Sequence, residues 1–214
     1  MELKNKRIIV TGGSDGIGRH ICLKLAAVGT RLAILGRDAD RLAAVEAECI
    51  AAGASEAIGI ACDIQNPDAI SGAVEQVTAA FGGLDILINN AGIWHKTGPL
   101  DEIPPQLLQA TVQTNLTGLM QITQAAIPAL RANDEAIILN VVSKSGVVAQ
   151  AGQSVYTATK YGVRGFTEVL KADEENTGVR VGGVYQSGTN TGMFSKAGED
   201  VPNHIFTEPD DLAD

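Results

Sequence analysis

Aromatic residues make up only 4% of the 214-residue chain, with four Phe, three Tyr and one Trp. A thick aromatic core is thereby excluded, and plentiful Ala and 24 Gly favour close packing of helices on a sheet. The three cysteines, Cys22, Cys49 and Cys62, are odd in number and form no CxxC pair. They read as reduced, buried thiols of a cytoplasmic protein, not as a disulfide framework. His20, His95 and His204 are scattered without zinc-like spacing, which argues against a metal site. Positive charge is also scarce: 16 Lys and Arg stand against 25 Asp and Glu, for a net charge of −9. A nucleic-acid or anionic-membrane partner is excluded on that balance. No segment approaches the roughly 18 apolar residues of a membrane span, and "MELKNKRIIV" has no leader pattern. Apolar residues at 45% and charged residues at 19% fit a single globular domain over 1–214.

What is present is an alternation. Short β-branched runs at 7–10, 31–35, 57–62, 85–89, 136–142 and 179–185 read as strands buried on both faces. Helical patterns at 16–28, 38–52, 67–81, 104–131 and 154–176 separate them. The predicted class is α/β, a Rossmann-like doubly wound parallel sheet flanked by helices. In such sheets ligands bind beyond the carboxyl ends of the strands.

The turn "VTGGSDGIGRH" leaves the first strand and opens the first helix. Gly12, Gly16 and Gly18 permit a tight turn and close backbone approach, and the helix start offers N–H groups to a pyrophosphate. Asp15 inside this turn carries the sign opposite to the one a phosphate selects. At the end of the second strand, Gly36 stands where a ribose-binding carboxylate is usual, and Arg37 follows. Its planar fork of donors suits a 2′-phosphate, so NADP(H) is preferred to NAD(H).

Tyr156 and Lys160 lie four residues apart in a helical stretch and share a face. A cation beside a phenol lowers the phenol's pKa from about 10, which fits proton exchange with a carbonyl or alcohol oxygen. Ser143, thirteen residues before Tyr156, can polarise that oxygen, with Ser145 as its nearby competitor. Tyr161 reads as packing. Asn115 is a poor helix former inside a helical pattern, suited to holding a water or a backbone group.

Together "TGGSDGIG" (11–18), Asp63 in "ACDI", "NNAG" (89–92), Asn115, Ser143 and "YTATK" (156–160) resemble the short-chain dehydrogenase/reductase family. The resemblance runs from Lys6 to the last residue. It implies an NADP(H)-dependent oxidoreductase interconverting a carbonyl compound and a secondary alcohol. Tyr156 would exchange the proton, and Lys160 would lower its pKa and hold the nicotinamide ribose. Ser143 would orient the substrate, and Asn115 would support a proton relay through water. Gly12, Ser14, Asp15, Gly16, Ile17 and Gly18 would surround the diphosphate and adenosine ribose. Asp63 and Ile64 would border the adenine, and Asn90, Ala91 and Gly92 the adenosine side of the cleft. Thr189 and Thr191 match the threonine that seats the nicotinamide.

Two departures stand out. The family's Pro-Gly after the sixth strand is replaced by Gln186-Ser187, which changes how that turn is specified. The ending "FTEPDDLAD" starts a helix, with Thr207 as cap, and stops. The chain is thus expected to be without the C-terminal helix and last strand of the family. The family's homo-oligomer is compatible with the chain but not specified by it. The segment 193–206 is expected to cover the substrate through Met193, Phe194, Ile205 and Phe206, with Trp94 and His95 as neighbours. An alternative function is a weakly catalytic or non-catalytic sensor that binds the dinucleotide.

Overall fold

Apolar side chains along β1 (Arg7–Thr11) alternate between two cores. Ile8 and Val10 join Leu32 and Ile34 of β2 (Arg31–Gly36) beneath α1 (Gly16–Ala27) and α2 (Ala39–Ala52). Ile9 points the other way, with Ala33 and Leu35, towards α3 (Pro67–Phe81). A strand whose neighbours alternate in this way must be covered on both sides. The computed structural model describes residues 1–199 and 206–213. Its described residues form one six-stranded parallel sheet ordered β3-β2-β1-β4-β5-β6, where β3 is Glu56–Ala61, β4 Ile86–Asn89, β5 Ala136–Val141 and β6 Val179–Val184. The order reverses between β1 and β4, which pair from Ile8↔Ile86 to Val10↔Ile88.

Helix α3 shows how local sequence sets an element. The Asn66 side chain accepts from the N–H groups of Asp68 (3.0 Å) and Ala69 (3.3 Å), Pro67 takes the first helical position, and left-handed Gly82 ends the helix. Its bounds match those read from the sequence. Asn66→Ala is expected to cost about 1 kcal/mol, measured as a shift in the urea midpoint.

The predicted helix 104–131 is not uniform. It begins as α4 (Pro105–Val112), widens to a π-helical turn at Gln113–Gly118 and continues as α5 (Leu119–Arg131). A Cβ on Gly118 would stand 2.3 Å from the Ile64 carbonyl oxygen, so helix and β3 loop meet backbone to backbone there. Helix α6 (Ser154–Asp173) completes this face of the sheet. Between α5, β4, β5 and α6 runs a buried polar chain. Asn89 Nδ2 donates to Thr123 Oγ1 and Asn140 Oδ1, and Asn140 Nδ2 donates to Thr167 Oγ1, each at 2.9 Å. Its members tie two strands to two helices just below the site.

The chain then forms a short helix α7 (Met193–Lys196) and another, α8 (Pro209–Ala213), which packs on α1. The three cysteines are free and buried. No helix is long and apolar enough to cross a membrane, among the described residues.

Candidate functional site

The glycine turn sits at the switch point and is clamped to the end of β4. Thr11 Oγ1 accepts from the N–H groups of Asn90 and Ala91, both at 3.0 Å. Asn90 Nδ2 returns to the carbonyls of Thr11 (3.0 Å) and Gly12 (3.2 Å). Gly12 has φ +64°, and a Cβ there would lie 2.9 Å from Ala91 Cα. A Cβ on Gly18 would lie 2.2 Å from the Gly12 carbonyl oxygen. The turn therefore admits no side chain at either position.

Above it opens a cleft of about 1030 Å³. Of the residues singled out in the sequence for the cofactor, Gly12, Ser14, Asp15, Gly16, Ile17, Arg37, Asp63, Ile64, Asn90, Ala91, Gly92 and Thr191 line it. Two further cations, Arg41 and Lys196, line it too and were not foreseen. Asp15 is the hub of this end. Its Oδ1 caps α1 by accepting from Gly16 N–H at 2.7 Å, while Oδ2 pairs with Arg41 at 3.1 Å and with Lys196 in a short contact. Burial pushes the Asp15 carboxyl up, but Lys196, the Gly16 N–H and Arg41 outweigh it and hold it below the usual carboxylate range.

A second cleft of about 380 Å³ adjoins the first, the two sharing Ile17, Asn90, Gly92, Trp94, Thr191 and Met193 as lining. Ser143, Tyr156 and Lys160 converge in its wall. The Ser143 hydroxyl favours the Tyr156 phenolate, and Lys160 Nζ lies 5.6 Å from the centre of the tyrosine ring. Lys160 is buried and donates to the Val141 carbonyl at 2.9 Å. Burial pushes the Tyr156 phenol up to about 12, against the opposing pull of Ser143, and pushes the Lys160 ammonium down to about 8. The sequence reading gave the tyrosine a lowered pKa through its lysine neighbour. The direction in the folded chain is the opposite, because loss of water around the phenolate outweighs the pull of the Ser143 hydroxyl.

Ser143 sits at φ +121° and ψ 156°, a region costly for a side-chain-bearing residue. A bulge forces it there: the N–H groups of Val142 (2.8 Å) and Ser143 (3.3 Å) both aim at the Val184 carbonyl. Ser145 N–H donates back to Ser143 Oγ at 3.2 Å. Ser145 Oγ itself is turned to Gln153 Oε1 at 3.3 Å.

Asn115, at the π-helical turn, is fully buried. Its Oδ1 accepts from Ile93 N–H at 2.8 Å and its Nδ2 donates to the Ile93 carbonyl at 2.9 Å. Of the two holding roles open to it, the backbone one is the one its side chain makes.

After β6, Gln186 and Ser187 need no left-handed backbone, so a glycine is not required where the family has one. The turn is fixed instead by Lys144 N–H donating to the Gln186 carbonyl at 2.7 Å, which continues the β5–β6 pairing. Thr189 is buried and bridged to Thr207. Beyond it residues 191–199, a flap, supply lining to both clefts. The ring of Phe194 meets Trp94 at 5.2 Å and Phe206 at 5.0 Å, and Trp94 stands edge-on to Tyr156 at 4.5 Å. Trp94 Nε1 donates to Glu199 at 2.6 Å. Met193, Phe194 and Phe206 are thus among the lining as expected, while Ile205 lies outside the described residues. His95 is buried beside Trp94 and lines neither cleft.

The chain as a whole is similar to known proteins. The family model described as short chain dehydrogenase matches residues 6–202. The chain is 35% identical over 196 residues to a D-beta-hydroxybutyrate dehydrogenase of Cupriavidus necator, covering 91% of this chain and 74% of the relative. A crystal structure of a 3-ketoacyl-(acyl-carrier-protein) reductase from Brucella melitensis, complexed with NADH, superposes with a TM-score of 0.89 at 29% identity, covering 99% of this chain and 88% of that one. An actinorhodin polyketide ketoreductase with NADPH also gives 0.89, at 27% identity, covering 98% of this chain and 87% of that one. Motif order, sheet order and these likenesses agree, and the chain belongs to the short-chain dehydrogenase/reductase family of nicotinamide-dinucleotide-dependent oxidoreductases.

Proposed function

We propose that the protein interconverts a carbonyl compound and a secondary alcohol with NADP(H), and that Tyr156 exchanges the oxygen's proton. The observation that carries this reading is the buried Ser143–Tyr156–Lys160 group at the point where the two clefts join. Near neutral pH a phenol with its pKa at about 12 keeps its proton, as an acid awaiting a carbonyl oxygen must. The phenolate left behind is stabilised by the Ser143 hydroxyl and the Lys160 ammonium, which is still charged below about pH 8.

The larger cleft fits a nicotinamide dinucleotide on three counts: a floor without side chains, first-turn N–H groups of α1, and Arg37 and Arg41 at one end. Gly12 to Gly18 would hold the diphosphate, Asp63 and Ile64 the adenine, and Lys160, Thr189 and Thr191 the nicotinamide half. When bound, the dinucleotide supplies the hydride. Arg37 supports NADP(H) because no carboxylate replaces Gly36 to contest a phosphate. Asn115 acts through the Ile93 backbone, keeping the loop after β4 in place.

The test is consumption of NADPH and of NADH across a panel of ketones, followed by nicotinamide absorbance. Faster turnover with NADPH on at least one ketone is expected. Tight binding of NADPH without turnover on any of them would favour the sensor alternative.

A further inference from the structure

Asp15 has the wrong charge for a phosphate cradle, and its surroundings account for it. Three elements distant in sequence bring charges to one point: Asp15 at the start of α1, Arg41 in the first turn of α2 and Lys196 at the end of α7. Arg41 also pairs with Asp38 at 3.3 Å, so it is held from both sides. All four side chains line the larger cleft, with Arg37 beside them. Thr191 rests on the glycine turn here, 3.4 Å from where a Gly16 Cβ would stand, so the flap lies directly over this end of the cleft.

Asp15 and Asp38 offset Arg41 and Lys196, and Arg37 in the same lining supplies the positive charge left over for a second anion. Arginine and lysine each carry more donors than one carboxylate uses, so both can hold Asp15 and a phosphate together. We propose that Lys196 of the flap, with Arg41, reads the cofactor's 2′-phosphate, and that Asp15 keeps the two cations in place for it. This rests on the NADP(H) reading above. On this account cofactor choice and flap position are one event. A 2′-phosphate adds a second anchor for Lys196, while a bare ribose leaves the flap on Asp15 alone. The pairs are half exposed, so ordinary salt weakens them.

The experiment measures equilibrium binding of NADPH and NADH, by quenching of protein fluorescence, to the wild type, Lys196→Met, Asp15→Asn and the double variant. Lys196→Met is expected to weaken NADPH about tenfold, the loss of one charge-assisted contact, and to leave NADH nearly unchanged. Asn at position 15 keeps an oxygen for the Gly16 N–H, so the cap survives in that variant. In the Asp15→Asn background, where Lys196 is no longer held in place, Lys196→Met is expected to weaken NADPH by less. An equal loss for both cofactors, no loss, or an undiminished selective loss in the Asp15→Asn background would overturn the proposal. A wild type that binds both cofactors equally would overturn the NADP(H) reading itself, and is told apart because it needs no variant.

Discussion

Tyr156→Phe is expected to lower turnover by about 10²- to 10⁴-fold, the usual worth of a positioned proton donor, with NADPH affinity almost unchanged. The phenylalanine ring keeps the edge-on contact with Trp94 at 4.5 Å and fills the same buried volume. Only the hydroxyl is lost, beside that of Ser143. A buried phenol whose charged form is disfavoured contributes little to stability near neutral pH, so the variant should fold normally. Circular dichroism, NADPH titration and turnover on the best ketone measure the three consequences separately. A fall smaller than about tenfold would remove Tyr156 from the chemistry and leave the Ser143 hydroxyl or water as donor. A fall accompanied by loss of NADPH binding would instead make the tyrosine a cofactor anchor.

The parts of this site that the sequence made legible are those set by nearest neighbours. Helix α3 begins and ends where Asn66, Pro67 and Gly82 say it should, because caps are local. The glycine turn and the Tyr156–Lys160 spacing were legible for the same reason. The π-helical turn at Gln113–Gly118 was not, since one extra residue scarcely alters an apolar period. A signal was nonetheless present: Asn115 and Gly118 are both weak helix formers at adjacent turns. The direction of the Tyr156 shift could not be read, because sequence shows the neighbouring cation and not the loss of water around the phenol. Nor could the pairing of Asp15 with Lys196, 181 residues apart, which depends on the flap folding back over the sheet.

The strain at Ser143 connects the fold to the reaction. The bulge at Val184 places a serine where a glycine would rest more easily, at a cost of about 1–3 kcal/mol. In return the hydroxyl meets the Tyr156 phenol from the end of β5. Stability is given up at the same point where the two clefts join, which is where a reaction would repay it.

Lys160 carries the larger cost of this kind, and pH exposes it. The ammonium is buried with the Val141 carbonyl as its hydrogen-bond acceptor, and among the described residues it pairs with no carboxylate. Its pKa falls to about 8 in the folded protein, against about 10.4 when unfolded. A depressed folded pKa means that the unfolded chain binds the proton more tightly across that window. Stability therefore rises as pH goes from about 8 to about 10, and is lost again as pH falls through 8, by about 3 kcal/mol in all. Tyr156 acts in the opposite sense but later: its folded pKa of about 12 removes stability only above about pH 10. Replacing Lys160 with Met deletes the first effect and leaves the second. Urea unfolding at pH 7.5 and pH 10 should show the wild type gaining about 2 kcal/mol relative to the variant between the two values. Other titrating groups are common to both proteins and cancel in that difference. Parallel pH profiles would mean that the ammonium is solvated in the folded state and stabilises no phenolate. A converging profile, together with loss of turnover in the variant, would show that the charge is kept at the expense of the fold because the chemistry needs it.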